Sequence, residues 1–305
     1  MSPERVQAEV DGRRLSLSNL AKMLYPASGF TKGAVRDYYA RVAPVMLPHL
    51  TGRPVTFRRF PDGVDGKSFV EKHVPSHAPE WVQTVKVPSS DTGRGRGGAG
   101  GEVEYALVAD RPTLIWAANL AAIEFHVPLW HAGRRRPLPA RPDHLVFDLD
   151  PGPGTSVVEC CRVASWISAR LGGGRREPVA KTSGAKGLQV YVKLPAGIEW
   201  DTARDRALQA AQAIEHDHPE LVVTNMTKAL RRGRVLIDWS QNHPAKTTVA
   251  VYSLRGGTDP FASTPVTWDE VQDCERSGDP ARLRFSPGDV LDRVERHGDL
   301  FAPLT

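Results

Sequence analysis

The sequence predicts a single α/β domain, and three observations carry that expectation. Short stretches that alternate apolar and polar residues are interleaved with longer ones whose apolar residues recur at helical spacing. Pro/Gly turn signals separate the two kinds of stretch at short intervals. Neither an internal repeat nor a convincing linker divides the 305 residues, so one packed unit is the economical reading.

In chain order, residues 1–20 are polar and predict a short strand and turn. Thr31 stands where a helix N-cap belongs, because Val35, Tyr38, Tyr39, Val42, Val45, Met46 and Leu50 follow at helical spacing before Gly52-Arg-Pro54 stops the run. Residues 55–60 and 68–73 are extended, with Asp62-Gly63 as a turn. The Gly/Arg/Ser-rich segment 89–101 reads as a surface loop carrying Arg94 and Arg96. Residues 105–109 predict a strand, 112–123 an apolar helix and 124–130 an extended exit; a basic, proline-punctuated connection, 134–141, follows. Residues 144–150 then form a strand, and Thr155 or Ser156 caps a helix to about residue 171. Strands at 178–182 and 188–194 flank the loop 183–187, a helix covers 201–214, and strands are expected at 235–242, ending in polar groups, and at 247–252. Two amphipathic helices follow Thr267.

The composition, 40% hydrophobic and 25% charged, is that of a globular chain rather than a disordered or fibrous one. The formal charge of +5 suits a polyanionic partner without requiring one. Cys160, Cys161 and Cys274 match neither a disulfide framework nor a zinc spacing, and the adjacent pair reads as buried free thiols on a helix. No signal peptide or membrane-length apolar run is visible, so a cytoplasmic protein without a membrane partner is expected.

The stretch His144-Leu-Val-Phe-Asp148-Leu-Asp150-Pro-Gly carries the first chemical signal. Residues i and i+2 of a strand share a face, so Asp148 and Asp150 stand roughly 6.5–7 Å apart on one side while Phe147 and Leu149 point to the other. Two such carboxylates repel unless a cation lies between them; the plain alternative is an Asp-Pro-Gly turn and an arginine partner for Asp148. Asp238 ends a second apolar strand, where an acid is costly unless paired or metal-bound. Three carboxylates suit a two-metal phosphoryl-transfer site, and oxygen-only ligands favour magnesium or manganese. Thr182-Ser183-Gly184-Ala-Lys186-Gly187 between two strands can bring backbone N–H groups, a hydroxyl and an ammonium to phosphate oxygens; it can equally be an ordinary turn. Arg255 is a further phosphate candidate or a surface arginine. Lys22, Lys32, Arg58, Arg59, Phe69, Lys72 and the Arg94/Arg96 loop form a basic and aromatic set that suits a nucleic-acid strand held by its backbone and stacked through its bases.

Taken together and in order, Lys22-Met-Leu-Tyr-Pro26, Phe69-Val-Glu-Lys72, Glu124-Phe-His126-Val-Pro, Val146-Phe-Asp148-Leu-Asp150-Pro-Gly, Thr182-Ser183-Gly-Ala-Lys186-Gly-Leu, Met226-Thr-Lys228, Asp238-Trp-Ser-Gln241-Asn242 and Tyr252-Ser-Leu-Arg255-Gly resemble one family. It is the polymerase domain of bacterial ligase D, in the archaeo-eukaryotic primase superfamily. The resemblance implies a single primase-polymerase catalytic domain over residues 1–305, with two mostly antiparallel or mixed sheets forming a catalytic cleft flanked by helices. It implies a DNA repair polymerase that adds nucleotides, ribonucleotides preferred, at gaps or double-strand breaks, with two manganese or magnesium ions and a nucleoside triphosphate. On that pattern Asp148, Asp150 and Asp238 match the metal-binding carboxylates. Ser183, Lys186 and Arg255 match residues that hold the triphosphate, and His126 and Gln241 match nucleotide-site positions. Lys22 and Lys32 match lysines that grip a 5′-phosphate, Phe69 a ring that stacks at the template, and Arg94/Arg96 a loop that helps bring two ends together.

Two positions depart from the pattern. Gln189 stands where the family usually carries histidine; a glutamine can donate to a phosphate but carries no charge. Val70 stands where a second aromatic often follows Phe69. The implied partners are gapped or broken DNA with a 5′-phosphate, Ku and a separate ATP-dependent DNA ligase, since no ligase or phosphoesterase module is visible; a monomer at the nucleoid is expected. The departures motivate a rival reading, an end-binding or bridging module with weak or lost catalysis. A metal-dependent nuclease on the same acids has no use for the triphosphate contacts.

Overall fold

Residues 5–89, 101–133, 138–173 and 176–305 are described by a computed structural model. Arg94, Arg96 and the arginines at 134–136 lie outside the described residues.

The chain opens with two small hairpins, β1 (Arg5–Val10) with β2 (Arg13–Ser18) and β3 (Met23–Tyr25) with β4 (Phe30–Thr31). Helix α1 (Lys32–Leu50) follows, and Thr31 caps it by accepting from the Ala34 N–H. Then come β5 (Pro54–Arg59), β6 (Phe69–Glu71), β7 (Thr84–Pro88), β8 (Glu102–Leu107), α2 (Arg111–Asn119) and β9 (Ala122–Val127). The second half holds β10 (His144–Pro151), α3 (Val157–Leu171), β11 (Val179–Thr182), β12 (Leu188–Lys193), α4 (Trp200–Asp217), β13 (Val222–Val223), β14 (Val235–Asp238), β15 (Thr248–Val249), β16 (Pro265–Val266), α5 (Trp268–Ser277) and α6 (Pro287–His297). Ser156 and Thr267 open α3 and α5 with reciprocal capping boxes to Glu159 and Glu270.

Two large sheets result, one mixed and one antiparallel. One runs β13-β14-β10-β12-β11-β16; the other runs β15-β9-β5-β8-β7, with β6 added beside β5. Pairing is antiparallel except between β13 and β14. Helix α3 packs on β10 and β12, α4 on β10, and α1 and α2 on each other and the second sheet. A continuous apolar cluster runs through both halves and includes Phe57, Phe125, Phe147 and Leu149. Those residues take one face of each sheet, which leaves the other face of β10 for Asp148 and Asp150. Among the described residues, no helix is long and apolar enough to cross a membrane.

Several boundaries differ from the periodic reading. The helix expected over 112–123 stops at Asn119, because Ala121 takes φ 59° and turns the chain into β9. Strand β7 fills a stretch with no strong alternation, and the strand expected over 247–252 is reduced to Thr248–Val249 before Tyr252 at φ 66°. Residues 222–230 resolve into two-residue β13 and the start of a 3₁₀ turn, Lys228–Arg231. All three cysteines are buried and free.

Candidate active site

β10 is an interior strand, and its register places Gln189 of β12 and Asp238 of β14 directly opposite Asp148. β11 extends the row with Lys181 opposite Gln189. Cross-strand partners share a face, so Lys181, Gln189, Asp148 and Asp238 form a line across four strands, with Cα atoms of facing pairs about 4.5–5.5 Å apart. Asp150 stands on the same face, two residues along β10. The turn after β14 holds Asp238: Oδ1 accepts from Ser240 N at 2.9 Å and Ser240 Oγ at 2.6 Å, and Oδ2 from Gln241 Nε2 at 2.9 Å. Asn242 locks that turn to β10, accepting from Val146 N at 2.9 Å and donating to Val146 O at 2.7 Å.

Burial, followed by the charges of Asp150 and Asp238, pushes the Asp148 carboxyl up to about 7 against the opposing Gln189 hydrogen bond. Burial and Asp238 raise Asp150 as well, with Arg231 and Arg255 opposing. Among the described residues, no three Asp, Glu, His or Cys side chains converge as a ready-made metal cage. The acids nevertheless offer an all-oxygen donor set whose mutual repulsion a divalent ion relieves, so their chemistry fits manganese or magnesium better than zinc.

The loop between β11 and β12 is closed by its own serine. Ser183 Oγ accepts from Gly187 N at 3.0 Å and Ala185 N at 3.2 Å, while Ser183 N donates to Gly187 O at 2.9 Å. Lys186 is left exposed at the tip. Two glycines are demanded by space: a Cβ on Gly187 would lie 2.0 Å from Leu149 O, and one on Gly184, at φ +70°, would lie 2.7 Å from Arg255 Cγ. The second approach seats Arg255 against the loop that carries Ser183 and Lys186.

Glu124 organises the remaining cations. It is 1% exposed and sits on β9 opposite Arg58 of β5, two residues before His126 on the same face. Its carboxylate takes His126 Nε2 at 2.8 Å, Arg58 Nη1 at 3.3 Å, the Gly256 N–H at 2.9 Å and Arg255 Nε at 3.6 Å. Burial alone would raise its pKa; His126, Arg255 and the Gly256 N–H outweigh burial and hold it at about 2. Arg255 Nε is buried with no hydrogen bond among the described residues.

A second basic site lies at the N-terminus of α1. Lys32 N donates to Lys22 O at 2.8 Å, which brings the two lysines together. Lys32 is buried, donates to Ser18 O at 2.7 Å, and is pushed down to about 8 by burial and by the charges of Lys22 and Arg59. Lys22 meets Asp62 at 3.1 Å. Arg59 is held by both Glu71 oxygens at 2.9 and 3.0 Å and lies 5.1 Å from the centre of the Phe69 ring. Phe69 and Val70 are exposed, as is Lys72.

Three of the expected contact residues have partners within the protein. Gln189, expected to meet phosphate, is 3% exposed and donates to Asp148 Oδ1 at 3.0 Å. Gln241, expected at the nucleotide, donates to Asp238. Arg58, grouped with the DNA contacts, lies on the Glu124 carboxylate while Arg59 takes the opposite face of β5. In each case cross-strand register or a local turn decides the partner. Two residues carry no expected role in the sequence: Glu124, whose alternation with His126 is a usable signal, and Lys181, which gives none.

Two helix-flanked sheets, with a row of acids on one beside a glycine loop and clustered cations, define a fold of the primase-polymerase type. The family model for LigD, primase-polymerase domain, matches residues 31–301. The chain belongs to that family. It is 42% identical over 291 residues to the multifunctional non-homologous end joining protein LigD of Mycolicibacterium smegmatis, covering 95% of this chain and 36% of that protein. Against the bifunctional LigD of Bacillus subtilis the identity is 29% over 286 residues, with 93% and 43% covered. The chain thus spans less than half the length of these relatives. Its structure superposes with TM-score 0.86 and 40% identity on the polymerase domain from Mycobacterium tuberculosis ligase D in complex with DNA, covering 95% of this chain and 98% of that one.

Proposed function

We propose that the chain is a template-directed nucleotidyltransferase that extends 3′ ends of DNA at gaps or double-strand breaks, with ribonucleotides preferred. The observation that carries this reading is the row of Asp148 and Asp238, with Asp150 on the same face, next to Arg255 packed on the 183–187 loop. Ser183, Lys186 and Arg255 bind the triphosphate, and Glu124 orients Arg255, Arg58 and His126 toward it. Lys22 and Lys32 take the 5′-phosphate on the far side of the gap, where Phe69 offers an exposed ring for the template base. The 3′-hydroxyl oxygen attacks the α-phosphorus and pyrophosphate leaves in line. Two divalent ions held by Asp148, Asp150 and Asp238 would activate that hydroxyl and steady the leaving pyrophosphate. Gap filling within non-homologous end joining, in the cytoplasm at the nucleoid, fits this chemistry. Ku and an ATP-dependent DNA ligase are the partners it implies, with the chain acting as a monomer.

The end-binding rival loses part of its motive, since the Gln189 amide supports Asp148. The test is extension of a primer on a 5′-phosphorylated gapped duplex with manganese and either nucleotide sugar. The expected result is template-dependent addition, faster with ribonucleotides, and none with Asp148→Ala. Tight binding of the gap without incorporation would favour the rival. Full activity of Asp148→Ala would overturn the assignment.

A further inference from the structure

Lys181 is the least expected group near the acids. It lies on β11 at 1% exposure, 5.5 Å from the centre of the Tyr191 ring. A buried ammonium is tolerated only when its protons are used, and all three are. Nζ donates to Gln189 Oε1 at 2.5 Å, Ser263 Oγ at 2.8 Å and Val249 O at 3.1 Å. Val249 belongs to β15 of the second sheet, where it faces His126, so the ammonium also ties the two sheets together.

The link that matters runs through Gln189. A carboxamide has an accepting end and a donating end of nearly the same size, and its orientation is set by its neighbours. An ammonium can only donate, so Lys181 fixes Oε1 of Gln189 toward itself. The Tyr191 hydroxyl, 3.4 Å away, points at the same oxygen. With that end committed, Nε2 is turned to the other side, where it donates to Asp148 Oδ1 at 3.0 Å. Were the amide reversed, its carbonyl would face a carboxylate. Asp148 Oδ2 forms no hydrogen bond among the described residues, so one oxygen is pinned and the other is left as a ligand.

We infer that Lys181 is a positioning residue for the acid site, acting through the Gln189 amide to hold the Asp148 carboxylate in its ligating orientation. The inference rests on the polymerase reading, because it gives Asp148 a metal to ligate. It also accounts for glutamine at position 189. The side chain there needs one acceptor facing Lys181 and one donor facing Asp148, and a carboxamide has both.

The test uses the whole chain with Mn2+ alone, followed by electron paramagnetic resonance without nucleotide or DNA. Lys181→Met and Gln189→Met are each expected to weaken Mn2+ binding about fivefold or more. The double variant, which removes the ammonium and the amide together, is expected to be no weaker than Gln189→Met, because Lys181 acts only through the amide. In extension assays, kcat falls while KM for the nucleotide stays within about twofold. Folded variants with wild-type Mn2+ affinity, or a double variant whose loss is the product of the single losses, would overturn the inference. Should Lys181→Met fail to fold, nuclear Overhauser contacts of the Gln189 amide protons in the wild-type protein decide. Proximity to Lys181 and Ser263 rather than to Asp148 of β10 would mean the reversed amide and no such role. If wild type binds no Mn2+, the polymerase reading fails together with the inference; if wild type binds and the variants bind equally, only the inference fails.

Discussion

Replacing Glu124 with glutamine removes the charge on which His126, Arg58 and Arg255 converge. The folded state holds this carboxyl at about 2, against its ordinary 4.5. At roughly 1.4 kcal/mol per tenfold change in proton affinity, the carboxylate contributes about 3 kcal/mol of stability at pH 7. Because folding depresses this pKa, the contribution is present above about 4.5 and fades as pH falls toward 2. Glu124→Gln is therefore expected to lose about 3 kcal/mol at pH 7, a drop of about 5 °C in melting temperature for a chain of this size. The gap to wild type narrows to about 2 kcal/mol at pH 3.5. Urea unfolding of both proteins at the two pH values measures it. A gap below about 1 kcal/mol at pH 7, or one that stays constant on acidification, would refute the reasoning.

Asp148 gives the opposite pH sign. Its carboxyl is raised to about 7, so its own contribution to the stability of the metal-free protein is fully present below about pH 4 and is lost as pH rises through 7. Asp148→Asn removes that decline in a melting series while lowering extension by about 10³-fold or more, and wild-type Mn2+ affinity should rise about tenfold from pH 6 to 7 and then level off. Gly187→Ala drives a methyl to 2.0 Å from Leu149 O and should cost more than about 3 kcal/mol or leave the protein insoluble. Gly12→Ala, with open space around it, should cost only about 1 kcal/mol of left-handed strain. Lys32→Ala should reduce the preference for a 5′-phosphorylated over a 5′-hydroxyl gap about tenfold in fluorescence anisotropy, with binding to the hydroxyl form little changed.

Much of the acidic strand is legible in the amino-acid sequence itself. Asp148 and Asp150 are placed by a period of two within one apolar strand, Thr31 and Ser156 by cap chemistry at the start of a periodic run, and the tail helices by their amphipathic spacing. These features depend on neighbours a few residues apart, so the local sequence contains their cause. Helix α2 shows the limit, since its end is set by the positive φ of Ala121, for which the apolar pattern carries no mark.

What only the tertiary structure decided is who meets whom across strands. Gln189 reaches Asp148 across 41 positions of sequence, Arg58 reaches Glu124 across 66, and Lys181 reaches Ser263 across 82. Register fixes these partners, and register follows from packing both apolar faces at once rather than from any one strand. A buried lysine is especially opaque for this reason. In sequence it looks like a solvated charge on a strand, and only the folded sheets surround it with acceptors for all three of its protons.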